Sequence, residues 1–382
     1  MALFRKTLLA AATALAAITA ATPALADVNI GISLPMTGPA SGLGIPMANF
    51  FKLWPATIAG EKVNLIVLDD ATDPTKGVSN AKKFVTEDKV DIIMGSAATP
   101  VAIAMADTAA ESGTPQFMFS PAVLPTGKDH WAFRLPQGTA VMAHAMIEHM
   151  KKNGVKTVGF LGYTDAYGES WLTDFKAQSQ QLGGPQVVAV ERFARADTSV
   201  TGQALKLVAA NPDAMLIVAS GSGAAMPHKG VVERGYKGKI YQTHAAASRD
   251  LVRVGGKDVE GAFVTSGPAV IPEQLPASHP SKALAADFVA KYEKAYGAGS
   301  RNQFGGHAYD AIVVLEMVLP GALKKAKPGT KEFRAAIRDG VETMGRTVVS
   351  HGVLNYTKDN HWGFTTETGV ILKVVNGDWK VE

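Results

Sequence analysis

The 382-residue sequence contains no cysteine. Disulfides, zinc–thiolate sites, iron–sulfur clusters and a cysteine nucleophile are therefore excluded. Charge is also sparse. Charged residues make up 19% against 47% hydrophobic, too apolar a balance for a disordered chain. The formal net charge is +4, with no run of like charge and no basic stretch interleaved with aromatics, so nucleic acid is not expected as a partner. The sequence lacks G-x-S-x-G, a P-loop, HExxH and a clean G-x-G-x-x-G after a strand. His144 and His149 are five apart, off the i, i+4 spacing of a zinc pair, and are expected to be solvated. Asp69-Asp70 has no evident partner for a catalytic carboxylate pair. No enzyme activity, metal or cofactor is expected.

What is present begins with a leader. Arg5 and Lys6 precede an apolar, alanine-rich run from Thr7 to Ala21, broken by Thr22-Pro23. Ala24-Leu25-Ala26 has the small-x-small pattern of a signal-peptidase site, so cleavage is expected after Ala26. The run is shorter than the ~20 residues a membrane span needs. Residues 27–382 then form an exported protein of net charge +2 with no other spanning segment expected. Freedom from cysteine suits a bacterial periplasm.

From residue 28 onward, short apolar strands alternate with helices. Strands are expected at 28–34, 63–68, 90–94 and 116–119, with helices at 73–86 and 99–109 between them. The pattern then repeats, with strands at 157–161, 186–192, 214–219 and 239–243 and helices at 168–182 and 201–210. This is an α/β chain in two doubly wound halves, each with about four parallel strands. The midpoint lies near Trp131–Pro136. Helices at 281–296, 308–319 and 331–340 follow, then strands at 352–356 and 368–381 with a hairpin turn at Asn376-Gly377.

Ligands of open α/β sheets bind beyond the carboxyl ends of the strands. In the first half those ends carry Met36-Thr37, Ser96-Ala97-Ala98-Thr99 and Ser120-Pro121-Ala122-Val123. In the second half they carry Tyr163 to Gly168, Ser220-Gly221-Ser222 and His244-Ala245-Ala246. Ser96 to Thr99 sits at a helix start, where unpaired N–H groups and the dipole favour an anion such as a carboxylate. Taken singly, such loops are ordinary strand-to-helix turns. As a set facing one cleft, they form a candidate binding site of Met36, Thr37, Ser96, Ala97, Thr99, Ser120, Ala122, Val123, Tyr163, Tyr167, Gly221, Ser222 and His244.

The leader, the stretch Leu34-Pro35-Met36-Thr37-Gly38-Pro39, the strand ends Gly95-Ser96 and Ser120-Pro121, Tyr167-Gly168-Glu169 opening a helix, Ala308-Tyr309-Asp310-Ala311 and Gly352-Val353-Leu354-Asn355-Tyr356 occur in a telling order. That order resembles the type I periplasmic binding proteins of branched-chain amino acid ABC uptake, the leucine-binding-protein-like family. The resemblance implies two Rossmann-like lobes joined by a three-crossover hinge, one of 27–134 plus 268–352 and the other of 135–267 plus 353–382. It implies lobes that close on a small carboxylate and deliver it to the membrane permease of an ABC transporter; a monomer is expected. It implies that Ser96 holds the ligand carboxylate and that Tyr167 closes over the ligand.

The sequence also departs from the family's pattern. The loop after Ser120-Pro121 continues Ala122-Val123-Leu124 where the family has Gly-Ala-Thr, and Ser222 lies near the place of a family tyrosine. His244 stands where amino acid binders carry the Glu that pairs with the ligand ammonium. Losing one partner of a buried ion pair costs ~3–5 kcal/mol, roughly two to four decades of affinity. An aromatic or other non-amino carboxylate is therefore expected, unless Asp165 substitutes as the ammonium partner. Other readings are an amino acid binder, an exported sensor presenting solute to a membrane receptor, and an enzyme built on the same lobes.

Overall fold

The structure, a computed structural model, describes residues 27–382. The expected leader, with its cleavage after Ala26, lies outside the described residues. Among the described residues, thirteen strands form two sheets. The first has the order β2-β3-β1-β4-β5-β6, from Thr57–Ile58 (β2), Glu61–Asp69 (β3), Val28–Leu34 (β1), Ile92–Gly95 (β4), Gln116–Met118 (β5) and Ala132–Arg134 (β6). All its pairings are parallel except the short β2–β3 hairpin. In the second sheet Thr157–Tyr163 (β7) lies beside the edge strand Gln186–Phe193 (β8). On the other side lie Ala214–Val218 (β9), Lys239–Gln242 (β10) and Phe263–Ser266 (β11), all parallel. The antiparallel hairpin Val370–Val375 (β14) and Asp378–Val381 (β15) closes its edge. Thr347–Val349 (β12) and Gly352–Leu354 (β13) form a small separate hairpin.

Local chemistry explains most boundaries. The side chain of Asp73 accepts from Thr75 N–H and starts α2 (Pro74–Thr86). Helix α3 (Thr99–Ser112) has Pro100 in its first turn and ends on Gly113 in the left-handed conformation. The Asn376-Gly377 turn has φ of +52° and +73°, as a two-residue hairpin loop requires.

Each sheet has one more parallel strand than expected. Ala132–Arg134 is a full strand partner of β5, not merely an extended midpoint. Three residues are too few to show a period. The strand is buried although it carries Arg134, whose Nε donates to Ala122 O at 2.9 Å and which pairs with Asp129 at 2.5 Å. Strand β11 was likewise unanticipated. So was α1 (Ser41–Phe51), whose Gly42, Gly44 and Pro46 read as helix breakers. Gly44 is required there, because a Cβ would lie 2.3 Å from Pro35 O.

Helices α9 (Lys282–Tyr296), α10 (Gln303–Lys325) and α11 (Lys331–Thr343) belong with the first sheet. Phe50 of α1 stacks with Tyr292 and meets Tyr309 edge-on, and Trp54 Nε1 donates to Ala308 O. Helix α10 is long and apolar enough to cross a membrane by composition, contrary to the expectation of no further such segment. In the fold it is a core helix, buried without a break from Gln303 to Ala311.

The chain passes between the sheets three times, after β6, after β11 and after β13. The crossings are tied together. Arg134 N–H donates to His361 O, Tyr356 Oη to Arg134 O, and Gln137 Nε2 to His351 O at 3.2 Å.

Candidate functional site

The strand order reverses at β1/β4 in the first sheet and at β7/β9 in the second. Crevices open at such switch points. The two face each other across one cavity of about 350 Å³, including its mouth. From the first lobe come Leu43, Ala97, Thr99, Phe119 and Pro121, with Gln303, Phe304 and His307 of α10. From the second come Tyr167, Arg195, Ser220, His244 and Ala245, with Pro136 at a crossing. The lobes touch at the rim, where the Cα of Gly221 lies 3.8 Å from the position of a Cβ on Gly42.

Of the residues expected at the site, Ala97, Thr99, Tyr167 and His244 line the cavity. The rest do not. Ser96 is buried, donates to Asp70 Oδ2 at 2.7 Å and accepts from Ala98 N–H. Met36 and Thr37 donate their N–H groups to Asp69 and sit away from it. Ala122 packs in a small cluster beside Ala102 and Ala106, while Val123 is exposed. Ser120 lies between lining residues, its Oγ buried without a partner among the described residues. Tyr163 stands behind the wall, stacked under Arg195 and accepting from Ser220 N–H. Gly221 and Ser222 form the rim.

Several lining residues were not anticipated. Arg195 follows β8, whose carboxyl end was not among the expected site loops, as a lone cation in a turn of small residues. Gln303 and His307 precede the point where the apolar helix was expected to begin. Asn302, accepting from Gly305 N–H, is the capping signal that marks the true start. His149 also differs from expectation. It is half-buried, with Nδ1 3.0 Å from Tyr241 Oη, rather than solvated.

The electrostatics are one-sided. Among the described residues no Asp or Glu lines the cavity, and Arg195 is the one cation that does. Asp165, the possible ammonium partner, is already engaged. One oxygen caps α5 (Ala166–Leu182) by accepting from Tyr167 N–H and Gly168 N–H. The other takes Arg195 Nε at 2.5 Å. Arg195 Nη1 donates to Ser220 Oγ at 3.0 Å. Helix α3 begins at the cavity without a side-chain cap, so the N–H of Thr99 has no intrahelical acceptor.

Burial disfavours charge on the histidines at the cavity. Burial pushes His244 down to about 3 and His307 well below its usual range. Behind His307 the ring of His351 stacks at 4.0 Å, pushed down by burial to about 3. His351 Nδ1 lies 2.8 Å from Asp310, which also accepts from Ser350 N–H and His351 N–H. Burial pushes Asp310 up to about 7 against those bonds. The Tyr167 phenol is pushed up by burial and donates to Thr243 Oγ1 at 2.8 Å.

Known proteins share this architecture. A family model described as "Periplasmic binding protein" matches residues 27–376. An extracellular ligand-binding receptor from Rhodopseudomonas palustris is 46% identical, with a TM-score of 0.92 over 94% of this chain and 99% of that one. A Leu/Ile/Val-binding protein homologue from Brucella melitensis is 26% identical over 64% of this chain and 69% of its own. A solute-binding protein from R. palustris BisB5, solved with 3,4-dihydroxybenzoic acid, shares the fold at 24% identity and a TM-score of 0.74, over 92% and 95% of the two chains. With two doubly wound lobes, a triple crossover and a cavity at the facing switch points, the chain belongs to the type I periplasmic binding proteins of the leucine-binding-protein family.

Proposed function

We propose that this chain captures a small carboxylate with no ammonium group, aromatic or otherwise non-amino, and presents it to the membrane permease of an ABC uptake system. The observation that carries this reading is the charge pattern of the cavity. Arg195 is there to receive an anion, and no carboxylate among the described lining residues is there to receive a cation. Thr99 at the start of α3 adds an N–H donor on the opposite lobe. Phe119, Phe304, Leu43 and Pro121 supply apolar surface for a ring or short chain.

In this reading the lobes are 27–134 plus 268–352 and 135–267 plus 353–382, and they close as rigid bodies about the three crossings. The monomer, the leader cleaved after Ala26 and binding without turnover belong to the same reading. The 3,4-dihydroxybenzoic acid held by the BisB5 protein supports an aromatic acid as one such ligand. The Leu/Ile/Val-binding homologues favour a second reading, amino acid uptake, which needs an acid in the cavity.

A thermal-shift screen tests the choice. The panel holds leucine, isoleucine and valine against benzoate, 4-hydroxybenzoate, coumarate and short aliphatic acids. A ligand at 100 times its Kd adds about 2.7 kcal/mol of stability. Shifts with acids and none with amino acids are expected. Loss of acid uptake in a deletion strain distinguishes transport from sensing.

A further inference from the structure

Arg195 accounts for a carboxylate, but another part of the cavity carries polar atoms that a carboxylate leaves unmatched. Gln303 and His307 stand one turn apart at the start of α10, fully or almost fully buried and lining the cavity. Both amide atoms of Gln303 and both ring nitrogens of His307 lack a hydrogen-bond partner among the described residues. His244, on the other lobe, has Nδ1 unpaired in the same way. Its ring lies 6.2 Å from that of Tyr167, and Arg195 Cζ lies 5.9 Å from the same ring, so the cationic and neutral regions are about one aromatic residue apart.

The chemistry of these groups narrows what they can take. His244 and His307 are held neutral by burial. A second carboxylate would find no counter-charge beside them, and an ammonium would find no acid among the described lining residues. Nor do His307, Asp310 and His351, although close together, make a cation cage. The two imidazoles are stacked at 20°, which points their in-plane lone pairs alongside each other rather than at one centre. Asp310 is already occupied by its donors. What remains is a neutral group that accepts from an amide N–H and an imidazole N–H. Buried polar groups are matched in native complexes.

We propose that the carboxylate ligand carries a second, uncharged oxygen function, a hydroxyl or an oxo group, that is read by Gln303 and His307 of one lobe and His244 of the other. This rests on the carboxylate reading above and adds the substrate class. Because the three readers come from both lobes, the same oxygen also stabilises the closed form.

Calorimetry with matched acids tests it. One pair is 4-hydroxybenzoate against 4-methylbenzoate. The other is phenylpyruvate against 3-phenylpropanoate, so the two pairs separate hydroxyl from oxo. In at least one pair the oxygenated acid should bind about 100-fold more tightly, since a site with unmatched buried polar groups rejects the analogue lacking the oxygen. In Gln303→Met, and separately in His307→Phe, that advantage should shrink at least tenfold, the oxygenated acid losing more than its oxygen-free partner. A merely structural role would weaken both members alike, and that result overturns the proposal. So does equal binding of the two members in both pairs, which leaves the carboxylate reading standing. Failure of all four acids to bind defeats the carboxylate reading and this proposal with it.

Discussion

Asp165 holds Arg195 at 2.5 Å while capping the helix that carries Tyr167. The pairing occupies the Asp165 carboxylate and lays the guanidinium over the rings of Tyr163 and Tyr167. In the proposed reading, a preference for a carboxylate and the rejection of an ammonium would both follow from this single ion pair.

Replacing Arg195 with Met should weaken binding of the acid ligand by about 100-fold or more, the effect of unpairing a buried charge. Lysine should restore little, because its ammonium cannot reproduce the guanidinium fork that spans Asp165 and Ser220. Titration calorimetry of both variants checks this. Unchanged affinity in Arg195→Met would place the anion elsewhere.

Asp165→Asn keeps a capping side chain on α5 but removes the charge facing Arg195. Binding of the acid should survive or strengthen as the guanidinium is released to the ligand. If Asp165 instead paired with a ligand ammonium, the variant would lose amino acid binding by about two decades or more. Parallel titrations with an acid and with leucine separate the cases.

Stability should fall as the solution is acidified below neutrality. His228, at about 4, and His244 and His351, at about 3, stay uncharged in the fold but charge near 6.5 when unfolded. His307 behaves alike. Depressed folded values mean that the unfolded chain takes up protons first, so their stabilisation is complete above about 6.5 and is lost as pH falls toward 3. Asp310, at about 7, and Asp91, at about 6, run the opposite way and offset part of the loss. Because the depressed histidines outnumber the raised carboxylates, the net effect between about pH 6 and 4 is destabilising. Ligand affinity should stay nearly constant from about pH 6 to 8, because the cavity histidines stay neutral throughout. A flat melting temperature across the acid range would mean that the histidines are not buried neutral.

A bulky residue at Gly42 should hold the lobes apart. Its Cβ position meets Gly221 Cα at 3.8 Å and Ser222 N at 3.9 Å across the rim, so Ala fits and Trp does not. Gly42→Trp should weaken ligand affinity about tenfold or more and abolish the decrease in radius of gyration that closure on a ligand should give in small-angle scattering. A normal decrease would mean that this contact is not part of closure.

The crossings offer a further check. A Cβ on Gly267 would lie 2.5 Å from Gln137 Nε2 and 2.7 Å from His351 Cδ2. Gly267→Ala must push these apart and should cost about 1–3 kcal/mol of stability, as overpacking does. Denaturant unfolding with an unchanged midpoint would contradict the close packing of the three crossings.

Much of the fold was legible in the sequence. Runs such as Ala214–Val218 are apolar throughout because parallel strands are buried on both faces, and caps such as Asp73 and Gly113 mark helix ends by their own chemistry. His244 was legible because it lies just past a strand whose end is plain in the sequence. Arg195 and His307 were not. Arg195 lies in a turn after β8 with no distinctive signal, and its pairing with Asp165 and stacking on Tyr163 bring it to the cavity. His307 reads as one polar residue on an apolar helix, and its place at the cavity depends on a crossover that returns α10 to the first lobe. Ser96 had the right residue type in the right loop, but its hydroxyl is turned inward by Asp70, a contact between elements that sequence spacing does not show.

The most direct measurement titrates the protein with L-leucine and with 4-methylpentanoate, and with L-phenylalanine and 3-phenylpropanoate. Each pair differs only by the ammonium group. With the Asp165 carboxylate already taken, each deaminated acid should bind at least about 100-fold more tightly than its amino acid. Tighter binding of either amino acid would show that the cavity does hold an ammonium, and would contradict its exclusion by the Asp165–Arg195 pair.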